Sequence, residues 1–111
     1  MVDVQVVRKN DAKSFMEGEE FCRQYYKTDK LLFGTSNLPP GKTGGVDPGH
    51  KIGYEIFYVG RGQVVCHFPK IHKSEDLREG DIVIIPPGEP HQLENTGTQE
   101  ALVVWSLAPP D

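Results

Sequence analysis

Gly80-Asp-Ile-Val-Ile-Ile-Pro86-Pro-Gly88-Glu-Pro-His91-Gln-Leu-Glu-Asn95 decides how the rest of this sequence is read. Gly80-Asp81 makes a turn. Ile82 to Ile85 is a β-branched run of the kind that forms a fully buried strand. Pro86, Pro87, Gly88 and Pro90 stop that strand and force a rigid reversal, because proline fixes φ and brings no amide to a ladder. His91 follows the reversal and opens the next strand, held by backbone rather than by its own rotamers. Packing gives no reason for a histidine there.

A second segment supplies partners for it: Gly45-Val-Asp47-Pro-Gly49-His50-Lys-Ile-Gly-Tyr-Glu55-Ile-Phe-Tyr-Val-Gly-Arg-Gly62. His50 stands at a loop-to-strand junction. Glu55 lies in an otherwise apolar strand, where alternation puts it on the face of Phe57 and Val59. If that face points inward a carboxylate is buried, at a cost of several kcal/mol unless it is paired or bound to a cation. Two imidazoles and a carboxylate are competent ligands for a divalent transition metal.

The remaining chain is punctuated into short strands. Residues 3–8 (DVQVVR) alternate and predict a first strand; residues 9–20 predict a loop with at most a turn of helix. Aromatic-rich residues 20–27 suit an edge or outer strand, and residues 31–37 another, with Gly34 marking a bulge or a close backbone approach. Residues 41–49 predict a glycine-rich loop. Residues 54–59 and 63–68 predict a hairpin through Gly60-Arg61-Gly62. Residues 72–79 predict a charged loop, and residues 101–107 a last buried strand. Turn signals at every joint, with no amphipathic helix and no repeat, predict an all-β sandwich or barrel.

Composition bounds the function. A chain of 111 residues holds one core. A net charge of −4, with no basic stripe, argues against a nucleic-acid backbone or an anionic membrane as partner. No apolar run approaches a membrane span, and residues 1–10 lack a signal-type apolar core, so a cytoplasmic protein is expected. Cys22 and Cys66 form no metal or disulfide framework and read as reduced, buried thiols. Gly41-Lys42-Thr43 is a false phosphate-loop match, because Ser36 stands where a glycine is required and Pro39 and Pro40 remove amides.

The two segments together resemble the paired motifs of the cupin superfamily. Its second motif is a glycine, five residues, Pro-x-Gly, two residues, a histidine, three residues and an asparagine. Gly80, Pro86, Gly88, His91 and Asn95 match it throughout. Its first runs from a glycine through His-x-His, three or four residues, a glutamate, six residues and a glycine, and His50, Glu55 and Gly62 match with the four-residue gap. The resemblance implies a double-stranded β-helix, or jelly-roll, barrel: a single domain over residues 1–111, with N-terminal strands and loop in residues 1–30 and the barrel with both motifs in residues 31–107. It also implies a divalent metal held by His50, Glu55 and His91, with Fe(II) favoured and Mn, Ni or Zn as alternatives.

One ligand position departs, since Pro48 stands where the first histidine of the pair belongs. Three readings stay open: a two-histidine, one-carboxylate site with open positions, of the kind that suits Fe(II); recruitment of a neighbour such as Asp47; or loss of the metal with retention of a ligand pocket. The leading expectation is a metal-binding small-molecule enzyme with dioxygenase-like chemistry. The alternatives are a metal-dependent isomerase, lyase or decarboxylase, or a non-catalytic small-ligand binder. His67 and His72 read as ordinary surface or core histidines, Asn95 as a turn-maker, Tyr25, Tyr26, Tyr54, Tyr58 and Trp105 as core or interface area, and Arg23 and Gln92 as candidate substrate contacts. A homodimer is expected, packed through the aromatic 20–26 stretch.

Overall fold

The computed structural model describes residues 3–111. Nine strands follow in order among the described residues: β1 (Lys13–Glu17), β2 (Glu20–Lys27), β3 (Leu32–Leu38), β4 (Tyr54–Arg61), β5 (Gln63–Phe68), β6 (Lys73–Arg78), β7 (Ile82–Ile85), β8 (Gln92–Glu94) and β9 (Ala101–Ala108). They form a six-stranded sheet in the order β1-β2-β3-β9-β4-β7 and a three-stranded sheet in the order β6-β5-β8. Every strand pairing is antiparallel. Inward residues of both sheets join one apolar cluster: Phe57, Val59, Val103 and Trp105 come from the larger sheet, and Val64, Cys66, Phe68 and Leu93 from the smaller. The sheets therefore pack face to face as a double-stranded β-helix. No helix among the described residues is long and apolar enough to cross a membrane.

Several expectations are corrected. Residues 3–8 form no strand and stay exposed; the first strand is β1, inside the segment read as loop. Residues 73–78, also read as loop, form β6, where Leu77 alone is buried and so gives little pattern to read. Gly60-Arg61-Gly62 does not close a hairpin. Here β4 pairs with β7 and β9 whereas β5 pairs with β6 and β8, so the glycines turn a corner from one sheet to the other. The strand over residues 20–27 is not an edge, being covered by β1 on one side and β3 on the other. Ile82 and Ile84 face outward at 52% and 58% exposed, so the β-branched run is buried on one face only.

The glycine-rich 41–49 segment is more ordered than a free loop. It runs against β8, with the Gly44 amide donating to the Leu93 carbonyl (2.8 Å) and the Asn95 amide to the Lys42 carbonyl (2.9 Å). On its other side the Gly45 amide donates to the Glu17 carbonyl (3.1 Å), which ties β8 to the β1–β2 turn. The close approach expected at Gly34 is present: a Cβ there would lie 2.2 Å from the Trp105 ring and 2.4 Å from the Arg23 carbonyl oxygen. The bulge lies on the neighbouring strand, where Gln24 pairs with Gly34 and Tyr26 with Phe33. Cys22 and Cys66 are both free and buried, and burial pushes their thiols up to about 11 and about 12.

Candidate metal centre

Strand alternation buries Glu55 together with Phe57 and Val59, while Tyr54, Ile56 and Tyr58 face outward. This is the inward facing expected of a period-2 strand. Glu55 lies opposite Ile85 and Leu107, so its carboxylate rises from the floor of an apolar barrel. His91 is fixed at the mouth of β8 by two backbone bonds with Asp47, one in each direction, at 2.8 and 3.0 Å. Asp47 Oδ1 accepts from the Gly49 amide at 2.8 Å, which fixes the tight turn into His50. Gly49 has φ +97, and a Cβ there would press within 3.0 Å of the Glu89 backbone, so this turn requires glycine. The Gly88 amide then donates to the His50 carbonyl at 2.7 Å, closing the 47–50 turn onto the proline-rich reversal.

These constraints bring Asp47, His50, Glu55 and His91 together, with one donor atom from each lying within 4.8 Å of all the others. Glu55 Oε1 is 3.0 Å from His91 Nε2 and 3.4 Å from His50 Nε2. Asp47 Oδ2 is 3.5 Å from His50 Nε2 and 3.6 Å from His91 Nε2. Donor atoms bound about 2.1 Å from one ion are separated by about 3.0–3.4 Å at tetrahedral or octahedral angles, which is close to this spacing. The structure places His50, Glu55 and His91, the three candidates from sequence, side by side, and sets Asp47 beside them. Pro48 removes a histidine from the family pattern, while its neighbour contributes a carboxylate.

The hydrogen-bond pattern suits a cation. His91 Nδ1 lies 2.9 Å from the Glu89 carbonyl, which can only accept, so Nδ1 carries the hydrogen. In the neutral ring Nε2 is then a bare lone pair aimed at the cluster. His91 Nε2, His50 Nε2 and Glu55 Oε1 are buried without a hydrogen-bond partner. Three crowded, buried polar atoms without partners are costly, and a shared cation resolves them. Without one, burial disfavours the His91 charge, but the Glu55 carboxylate, the Glu89 carbonyl and Asp47 outweigh it and raise the imidazole above its ordinary value. Phe57 packs edge-on against the His91 ring at 5.5 Å between centroids.

Beside the cluster opens a cavity of about 150 Å³ that also reaches Glu17, Glu20, Ser36, Gln92 and Trp105. Gln92, a candidate contact from sequence, lines it and donates to the Gly44 carbonyl at 3.0 Å. Arg23 does not line it; its guanidinium donates to Asn37 Oδ1 at 3.0 Å and stacks over Phe21. Glu20 was missed in the sequence because a glutamate opening an aromatic strand has no local mark of burial, yet it is 7% exposed. Burial pushes its carboxyl up to about 7; Ser36 and His91 work to lower it, Glu17 and Glu55 to raise it. His67 is engaged outside the cluster, between Ser74 Oγ (2.7 Å) and Glu94 Oε1 (2.8 Å). Asn95 is fully buried and structural, its amide donating to the Leu38 and Gln99 carbonyls.

Comparison with known proteins gives a consistent picture. The family model described as Cupin domain matches residues 34–107. An oxalate-binding protein of Thermotoga maritima is 35% identical over 69 residues, which is 62% of this chain and 54% of that protein. The chain thus spans about half the length of that curated relative. A crystal structure of a predicted oxalate decarboxylase from Thermotoga maritima superposes with a TM-score of 0.79 at 26% identity, covering 95% of this chain and 99% of that one. An uncharacterized conserved protein with a double-stranded β-helix domain from Klebsiella pneumoniae superposes at 0.81 with 21% identity, over 98% of this chain and 93% of that one.

Proposed function

This chain belongs to the cupin domain family, and from that premise we propose that it is a metal-dependent enzyme acting on a small molecule, with His50, Glu55, His91 and Asp47 as ligands of one divalent ion. The observation that carries the reading is the buried trio of His50 Nε2, His91 Nε2 and Glu55 Oε1, each without a hydrogen-bond partner. The mixed imidazole and carboxylate set suits Fe(II), Mn, Ni or Zn, and Fe(II) is favoured. When bound, such an ion supplies Lewis-acid polarisation of a substrate oxygen or, if redox-active, dioxygenase-like chemistry.

The residues of the chain have separable tasks in this reading. Glu89, through its carbonyl, sets the His91 tautomer, and Phe57 holds the ring in place. The apolar part of the cavity wall, Phe57, Leu93 and Trp105, would cover one side of the bound substrate. Metal analysis after purification without chelator tests the proposal. About one ion per chain is expected in the wild type and little in His91→Ala; a wild type that stays metal-free after reconstitution overturns it. Activity restored by Fe(II) but not Zn(II) supports oxygen-dependent chemistry, whereas restoration by any divalent ion points to an isomerase or lyase.

A second reading, a decarboxylase or non-catalytic binder of a small dicarboxylate, is favoured by similarity to the oxalate-binding protein and the predicted oxalate decarboxylase of Thermotoga maritima. Oxalate binding or turnover measured on the metal-loaded chain separates the two.

A further inference from the structure

The charge of the cavity lining bears on which ligand enters. Resting on the reading of the cluster as a cation site, we propose that the cavity takes a small molecule without negative charge that presents an O–H or N–H donor to Glu20, and that it turns small carboxylates away. Four carboxylates line the cavity, those of Glu17, Glu20, Asp47 and Glu55, and among the described residues no Lys or Arg does. A divalent ion balances Asp47 and Glu55. With His50 and His91 neutral as ligands, Glu17 and Glu20 still face the ligand with no Lys or Arg beside them.

Glu20 is built into the wall rather than laid over it. It is 93% buried, and Gly44 packs so closely that a Cβ there would coincide with Glu20 Oε2. The Ser36 hydroxyl accepts from Trp105 Nε1 at 2.9 Å, lies 3.4 Å from Cys22 Sγ and supports the Glu20 carboxylate. With two oxygens and one such neighbour, Glu20 keeps acceptor capacity to offer a ligand on this side of the cavity. With its carboxyl near 7, it is mostly charged at pH 8 and accepts hydrogen bonds. Phe57, Leu93 and Trp105 give the apolar remainder of the wall. A cavity of this size holds a molecule about as large as benzene.

Benzyl alcohol, benzylamine and benzoate share one ring and differ in charge, so they read the proposal directly. Calorimetric titration at pH 8, on metal-loaded and on chelator-treated protein, with oxalate as a fourth probe, is the experiment. Benzyl alcohol or benzylamine is expected to bind at least about tenfold more tightly than benzoate, as repulsion between like charges in a water-poor site requires. Glu20→Gln should narrow that ratio to about threefold or less, and Glu17→Gln should shift it the same way.

Benzoate or oxalate binding the wild type as tightly as benzyl alcohol overturns the proposal. So does a ratio unchanged in both glutamine variants, or no binding of either uncharged or cationic probe at millimolar concentration. The chelator-treated arm keeps the two proposals apart. Failure to take up metal removes the enzyme reading, while the charge preference is still measured on the metal-free chain.

Discussion

Replacing Glu20 by glutamine should make the protein more stable above neutral pH and change it little in acid. The carboxyl sits near 7 in the fold against an ordinary 4.5, because burial disfavours its charge. A folded-state value above the unfolded one means that the folded state holds the proton more tightly. Its stabilising contribution is complete below about 4.5 and is lost as pH rises through about 7. At about 1.4 kcal/mol per pH unit, the full loss is about 3 kcal/mol, of which about 2.5 kcal/mol falls between pH 5 and pH 8. Glutamine keeps the shape and cannot ionise, so the variant escapes this loss. Thermal melts of chelator-treated wild type and variant across that range read the difference. At about 4 °C per kcal/mol for a chain of this size, the variant should lead by about 3 °C at pH 5 and by about 13 °C at pH 8, a gap that widens by about 10 °C. The comparison reads Glu20 together with its coupling to Glu17, Glu55 and His91, the groups whose charges it feels. A gap that does not change with pH, or a wild type that is the more stable at pH 8, would refute the reasoning.

Other consequences can be checked by standard means. Chelation should lower the melting temperature of metal-loaded protein, by the equivalent of about 2.7 kcal/mol if free metal had stood at a hundred times its dissociation constant; an unchanged melt in EDTA tells against the site. Gly34→Ala drives a methyl into the Trp105 ring and the Arg23 carbonyl and should cost about 3 kcal/mol in urea unfolding, with a variant as stable as wild type as the contrary result. Asn95→Ala strips partners from the Leu38 and Gln99 carbonyls and the Gly97 amide, an expected loss of about 2–4 kcal/mol by the same assay. Light scattering at micromolar concentration should give a dimer mass. The aromatic 20–26 stretch expected as the packing surface is largely covered within the chain, with Tyr26 its one exposed aromatic, so the test falls on another face. Ile82→Lys with Ile84→Lys should reduce the dimer to a monomer, because those side chains form an exposed apolar face with Tyr54, Ile56 and Tyr58; a monomeric wild type contradicts this.

What the sequence made legible follows from how local the signal was. The reversal at Pro86–Pro90 and the alternation around Glu55 are read within a few residues, and both survive in the fold. The corner at Gly60–Gly62 departs from the expected hairpin because a glycine pair that turns a hairpin and one that crosses between sheets look alike in sequence; the difference lies in partners about forty residues away on β9. β6 carries no readable signal, because one buried leucine among charges leaves no period. Ile82 and Ile84 misled in the opposite sense, as β-branched residues favour strands whether or not both faces are covered. Asp47 was legible only as a neighbour of Pro48. Its role in the cluster depends on the backbone bridge to His91, which no spacing rule announces.

That bridge has a kinetic corollary. Asp47 and His91 trade both of their main-chain bonds, so their backbones move as one unit. Side-chain rotation can still release one donor at a time, but parting of the 41–49 segment from β8 would carry two of the four donors away from an ion together. Slackening that segment would then show as faster metal exchange with every ligand still present.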